Sequence, residues 1–317
     1  MTKREGTLTL GFIKRLNQYV VTSVFCMALV WACSSENDPK NGQINAQNAG
    51  TGGGAAGNSN TSPTLRGSCD SSKRLGDFEI VVGAKSSYIT GKVKNGVVPS
   101  TIETEVAHSG QCKLMRQNKT FCDPACAINL VCDTNGQCIA EPASQSVGTV
   151  SVTGLAQAVE IPATAPAYSY DKTSLPALVA EPGASIQLTA TGGDMSGFQL
   201  YGKGVKPLVI SDSVWNITAG QATTIRWEPD SVSGATIMAR FSLDQHGTTP
   251  IEMECEVEDT GSLVISAEQI KTLMDLGTTV PSKGKIERHT VDSIQTDKGC
   301  IELTVYSLNS VEVKFTP

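Results

Sequence analysis

The chain has 317 residues, 39% of them hydrophobic and 18% charged, and a formal net charge of −6. That acidic balance excludes nucleic acid as a principal partner, because such binding rests on Lys and Arg neutralising phosphates. It also opposes a flat association with anionic lipid.

The first element is an export signal. Lys3, Arg4, Lys14 and Arg15 stand against Glu5, an apolar run occupies residues 20–32, and Cys33 follows. A run of that length falls short of the roughly 20 apolar residues a membrane span requires, so cleavage is expected rather than a retained helix. Loss of residues 1–32 removes four bases and one acid and takes the formal charge from −6 to −9. Val30, Trp31, Ala32 and Cys33 resemble the lipobox of bacterial lipoproteins. The resemblance implies a diacylglyceryl-modified, acylated Cys33 as the mature N-terminus, and Ser34 after it is similar to the outer-membrane retention signal. Expected localisation is therefore the bacterial cell envelope, at the outer membrane, with the lipid anchor as the membrane contact.

Residues 33–67 form the lipidated N-terminus and its tether. Rich in Gly, Asn and Ser and nearly free of apolar bulk, this stretch cannot bury enough surface to fold. As a flexible coil it spans roughly 30 Å, enough to lift a folded body off the headgroups.

Residues 68–142 read as a small disulfide-rich module. Once Cys26 and Cys33 are set aside, Cys69, Cys112, Cys122, Cys126, Cys132, Cys138, Cys255 and Cys300 remain, an even set in an exported chain. Residues 78–82 and 88–93 read as a strand pair, and residues 100–108 after Pro99 as a short helix opened by Ser100 or Thr101. In CDPACAINLVCDTNGQC, Asn135-Gly136 predicts a type I′ hairpin turn. The spacing resembles small cysteine-rich knots of the epidermal-growth-factor kind, without the C-x-C that closes that family's pattern. Six cysteines allow 15 connectivities; the expected one joins Cys122 to Cys132, Cys126 to Cys138 and Cys69 to Cys112. No C-x2-C pair occurs to favour zinc.

Residues 147–317 read as an antiparallel β-sandwich-like domain with one short helix. Expected strands are 147–152, 185–190, 199–201, 208–210, 223–227, 236–243, 252–257, 262–265, 301–306 and 311–315. Ile237, Ala239, Phe241 and Leu243 alternate with polar or flexible side chains, as do Ile251, Met253, Cys255 and Val257 with Glu252, Glu254, Glu256 and Glu258. Each strand therefore buries one face, and the glutamates face water or form an acidic binding surface. Ser266 and Gln269 make a capping box for a helix that Gly277 ends and whose Met274 fills core. Cys255 and Cys300 are expected to pair, although Cys300 shares the parity of Glu302 and Tyr306 rather than of an apolar face.

Candidate chemistry is sparse. Asp259-Thr260-Gly261-Ser262 resembles the active-site loop of aspartic proteases, but the second such loop which that chemistry requires is missing, and a polar turn explains the letters. His108, His246 and His289 stand in no recognised ligand spacing, and Asp244, His246 and Glu252 sit around a loop. There is no G-x-S-x-G elbow. Gly202-Lys203-Gly204 lacks the third glycine of a dinucleotide loop, and Asp133 starts a calcium-like loop that has no closing glutamate. Trp215 and Trp227 read as core, and Tyr168 and Tyr170 as possible stacking faces.

Beyond the anchor, the segments CDPACAINLVCDTNGQC, DQHGTTP, CEVEDTGSLVIS and KGCIELTVYS resemble those of cysteine-rich surface lipoproteins from bacteria with large secretomes. That implies a domain arrangement and no activity. The expectation is a non-enzymatic binding or structural protein of the envelope, with a protein or glycan partner and no cofactor or metal. The alternative is an envelope hydrolase or metal-dependent enzyme with an unassigned site.

Overall fold

The computed structural model describes residues 63–165, 167–231, 234–243, 251–276 and 283–316. The signal, Cys33, most of the tether, Asp244, His246 and Gly277 lie outside the described residues.

The chain is mainly β. In order come β1 (Arg74–Val81), β2 (Ser87–Val93), β3 (Glu103–Ser109), β4 (Cys112–Gln117), β5 (Leu130–Cys132), β6 (Cys138–Ala140), β7 (Val150–Thr153), β8 (Val159–Ile161), β9 (Lys172–Leu175), β10 (Ser185–Ala190) and β11 (Phe198–Lys203). These are followed by β12 (Val214–Thr218), β13 (Thr223–Arg226), β14 (Thr236–Leu243), β15 (Ile251–Glu258), β16 (Ser262–Ile265), helix α1 (Ala267–Leu276), β17 (Lys283–Thr296) and β18 (Gly299–Thr316). One ten-stranded sheet runs β3-β4-β15-β14-β17-β18-β1-β2-β9, with β12 joined in parallel to the last residues of β18. Pairing is antiparallel except where β1 and β12 meet β18. A four-stranded sheet, β11-β10-β7-β8, and the pair β13-β16 form smaller layers.

Two apolar cores lie between the large sheet and these layers. Phe78, Ile80, Ile89 and Leu303 pack with Val150, Leu188 and Leu200 in the first. Ile237, Phe241, Met253 and Ile286 pack with Trp215, Trp227, Ile270 and Leu273 in the second. The long strands β17 and β18 serve both cores, since β18 contributes Ile301, Leu303 and Val305 to one and Val311 and Val313 to the other. Between them the inward face of β17 is polar. Arg288, Thr290 and Asp292 are buried, Thr290 bonds the backbone of Lys203, and Asp292 accepts from the Tyr201 amide at 2.8 Å and from Arg66. Burying these groups is tolerable only because each is hydrogen-bonded.

The expected boundary near residue 142 is not a boundary in the fold. Strand β1 lies beside β18 and β4 beside β15, so residues 74–117 complete the large sheet rather than forming a separate stapled module. The physical reason is the disulfide frame. Cys69 pairs with Cys300 and Cys112 with Cys255, correcting the expected Cys69–Cys112 and Cys255–Cys300 pairs. Strand pairing brings Cys112 opposite Cys255 on the apolar face, which leaves Cys300, on the Glu302 side of β18, to meet Cys69. The parity of Cys300 already pointed away from Cys255.

Cys122–Cys132 and Cys126–Cys138 form as expected and staple the β5-β6 hairpin. Its turn is not type I′, because Gly136 has φ of 76° while Asn135 keeps a negative φ. The Asp133 carboxylate instead accepts from the amides of Asn135 at 2.9 Å and Gln137 at 2.8 Å, so an Asx turn organises the bend. The expected helix over 100–108 is a single 3-10 turn, Pro99–Thr101, leading into β3. The β1-β2 pair, β14, β15 and β16 fall where periodicity placed them. The stretch 208–210 contributes only an isolated bridge, Ile210 to Trp227.

Helix α1 is capped as read. Ser266 N donates to Gln269 Oε1 at 2.7 Å and Gln269 N to Ser266 Oγ at 3.1 Å. The Gln269 amide then reaches Ser109 O at 2.7 Å and fixes the helix over the β3-β4 end of the second core, where Met274 packs half-buried.

Candidate functional site

The face of the large sheet turned away from both cores is concave and holds a cleft of about 900 Å³. Side chains alternate along every strand, so register decides which residues meet there. Glu252, Glu254 and Glu256 of β15 lie beside Thr236, Met238 and Arg240 of β14, then Glu287 and His289 of β17, then Glu302 and Thr304 of β18. Glu103 of β3 and Lys113 of β4 close one side, and residues 65–71 pass over the other as a strap held by the Cys69 disulfide. The glutamates of β15 thus form part of an acidic cleft, with Glu254 nearly buried, Glu252 part-exposed and Glu256 and Glu258 exposed.

Arg240 stands at the centre. Its guanidinium contacts Glu254 Oε1 at 3.0 Å, Glu252 Oε1 at 3.5 Å and Glu287 Oε1 at 2.8 Å. Burial works against its charge, but the carboxylates of Glu287 and Glu254 outweigh that and hold it protonated well above the ordinary arginine range. Lys113 reaches Glu254 at 3.7 Å, Arg74 reaches Glu302 at 3.7 Å, and the Ser242 hydroxyl donates to Glu252. Glu302 also accepts from the Cys69 amide at 2.8 Å, which ties the strap to β18. Negative charge nevertheless exceeds positive. Burial, and then repulsion from Glu254 and Glu252, pushes the Glu103 carboxyl above its usual range. Farther along the same face, burial raises Asp77 and Glu79, and Tyr306 is raised by burial and by Glu79, to which its hydroxyl donates at 3.3 Å.

His289 occupies the cleft floor at 5% exposure. Its Nε2 lies 3.1 Å from Thr236 Oγ1 and 3.4 Å from Glu256 Oε1, and its Nδ1 lies 3.4 Å from Glu287 Oε1. Hydrogen bonding to His289 holds Glu256 below the usual carboxylate range.

The other sequence candidates have structural employment. Asp259 of the D-T-G-S segment is buried in an ion pair with Arg288, at 2.6 Å, and accepts from Trp227 Nε1 at 2.6 Å. Gly261 follows with φ of 95° and closes the turn into β16, so this loop presents no free carboxylate for activating water. Trp215 and Trp227 are each 3% exposed, and Tyr170 is buried with its hydroxyl accepting from the Val147 amide at 2.7 Å. His108 is exposed near Glu105. The sulfurs of Cys122, Cys126 and Cys132 lie close together, but each is taken up in a disulfide.

The cleft is hidden in the sequence because its residues come from seven separate strands and because the polar inward positions of β17 carry no strand signature. Only the alternating glutamates of β15 signalled it.

No family model matches the chain, and a search of curated proteins found no match. Among solved structures, the crystal structure of chicken CNTN1 FN1-FN3 domains is similar at 9% identity over 72% of this chain and 78% of that one. Its TM-score of 0.18 is too low to inform either fold or function.

Proposed function

We propose that this chain is an exported, lipid-anchored protein of the bacterial cell envelope, probing its surroundings as a non-enzymatic binding protein held out on the tether that follows Cys33. The observation that carries the reading is the disulfide frame. All eight cysteines beyond Cys33 are paired, two of the bonds joining segments 231 and 143 residues apart. Bonds of this kind persist where thiols are oxidised, outside the cytosol. A binding rather than catalytic role is supported by the state of the polar groups. Asp259 and Arg288 are consumed in a buried pair, Asp292 is held by Arg66, and the cleft carboxylates of Glu252, Glu254, Glu287 and Glu302 are engaged by Arg240, Lys113 and Arg74. The cleft, at about 900 Å³, is of a size suited to a ligand or to a partner's side chains.

Intact-mass analysis of the membrane fraction from a bacterial host tests the proposal, comparing wild type with Cys33→Ser, with and without reduction. A lipid-sized increment on the wild type that is lost in Cys33→Ser, with eight thiols titrating only after reduction, is the expected result. An unprocessed product bearing free thiols overturns it.

A further inference from the structure

Strands β12 and β13 are consecutive but do not pair with each other. β12 is bonded to the last residues of β18 and β13 to β16, and the turn at residues 219–222 joins them. The space between the two strands is a groove of about 360 Å³, a size in the range of small-molecule sites, and it shares no lining residue with the acidic cleft. Its walls carry Asn216 from β12, Gln221 from the turn, Thr224 and Arg226 from β13, and Asp212 just ahead of β12. None of these five side chains makes a hydrogen bond or an ion pair among the described residues.

Trp215 contributes to the floor. It is 3% exposed, its ring lies 4.9 Å from that of Phe241, and its Cε3–Cζ3 edge packs on Gly284, where a Cβ would stand 2.5 Å from Cζ3. The opposite edge, which bears Nε1, is the one that reaches the groove. A buried tryptophan ordinarily finds a partner for its indole N–H, as Trp227 does in Asp259. Trp215 Nε1 has none among the described residues, and it is not sealed from solvent either. A nearly buried donor thus ends at the groove with nothing to donate to.

Donors and acceptors are balanced across this set. The two primary amides and the threonine hydroxyl do both, the carboxylate only accepts, and the guanidinium and indole only donate. One carboxylate against one guanidinium leaves the lining without net charge, so it selects neither a phosphate nor a polyamine. Sugar hydroxyls each donate and accept, and neighbouring pairs of them match the two-atom forks of an amide, a carboxylate and a guanidinium.

We propose that the groove between β12 and β13 binds a neutral saccharide, with Asp212, Asn216, Gln221 and Arg226 reading its hydroxyls and the Trp215 indole N–H donating to a sugar oxygen at the floor. The site gives the binding role proposed above a ligand class of its own. It does not depend on the lipid anchor, because the groove lies wholly within the folded body.

The full isotope-labelled chain in detergent is titrated with maltotriose, cellotriose, chitotriose, mannotriose and galactobiose, with glycylglycine as a zwitterionic control, and followed by its indole N–H resonances. Expected is a saturable shift of the Trp215 resonance with at least one saccharide, at a Kd of about 1 mM or tighter, while the Trp227 resonance, tied to Asp259, stays in place. Gln221→Ala and Arg226→Ala change exposed side chains outside both cores. Each should weaken that binding about fivefold, the effect of one lost hydrogen bond. Glu160→Ala, at an exposed position on β8, should bind as wild type. No shift with any of the saccharides at ten times that concentration, a shift with glycylglycine alone, or binding that survives both groove variants undiminished overturns the proposal.

Discussion

Arg288→Met should destabilise this protein by about 3–4 kcal/mol, the low end of what breaking a buried ion pair costs. The side chains of Arg288 and Asp259 are 0% and 3% exposed. The guanidinium donates through Nε to Asp259 Oδ2 at 2.6 Å, and through Nη2 and Nη1 to the carbonyls of Glu228 at 2.6 Å and Lys206 at 3.1 Å. Methionine fills similar volume but leaves Asp259 charged in the interior and two carbonyls without a donor. The cost stays near the lower bound because Asp259 keeps donors in Trp227 Nε1 at 2.6 Å and the Asp230 amide at 3.2 Å. Against a total stability of about 5–15 kcal/mol this is a large fraction. Urea unfolding with disulfides intact measures it, and the double variant Arg288→Met/Asp259→Asn provides the coupling. Because each single change strands the other partner, the double variant should cost about 2 kcal/mol less than the sum. Single variants within 1 kcal/mol of wild type, or a double variant additive to about 0.5 kcal/mol, would refute the reading of Arg288 and Asp259 as a buried, mutually dependent ion pair.

Three further outcomes follow from particular contacts. Gly91→Ala places a Cβ 2.2 Å from Cδ1 of the buried Phe78 ring, so overpacking should cost about 1–3 kcal/mol in the same unfolding assay, and a neutral result would mean that the ring is free to move. Ser266→Ala removes the acceptor for the Gln269 amide and should cost about 1 kcal/mol, with exchange rising first in α1. Burial raises the Asp77 and Glu79 carboxyls, so the folded state binds those protons more tightly than the unfolded chain. Their contribution is therefore greatest while protonated and is lost as pH rises through the raised values. Asp77→Asn should accordingly raise Tm more at pH 7 than at pH 4.5, and an equal shift at both would contradict the sign.

Local features were legible in the sequence wherever one residue pattern carried one physical demand. The alternation in β14 and β15 reported a single buried face, and S-x-x-Q reported the cap of α1. The two short disulfides of the hairpin required only neighbours in sequence. Strand β17 was illegible because its inward positions are Arg288, Thr290 and Asp292, which look solvated until the partners that satisfy them are known. The pairings Cys69–Cys300 and Cys112–Cys255 depend on sheet order, which places β4 next to β15 from a distant part of the chain. The acidic cleft inherits both difficulties, since Glu287 and His289 sit on the unrecognised strand and Glu103 and Lys113 on strands assigned to another module. What sequence did offer was the odd parity of Cys300, a local sign that its partner lay off the apolar face.

The strap at residues 65–71 also decides how the folded body responds to mechanical load arriving from its N-terminal side. Arg66 grips Asp292 on β17, and Cys69 is covalently joined to Cys300 on β18. Tension therefore enters at the two longest, innermost strands instead of peeling an edge strand away bond by bond. Beyond the disulfide, β1 runs parallel to β18, so a pull along that direction loads their hydrogen bonds together in shear.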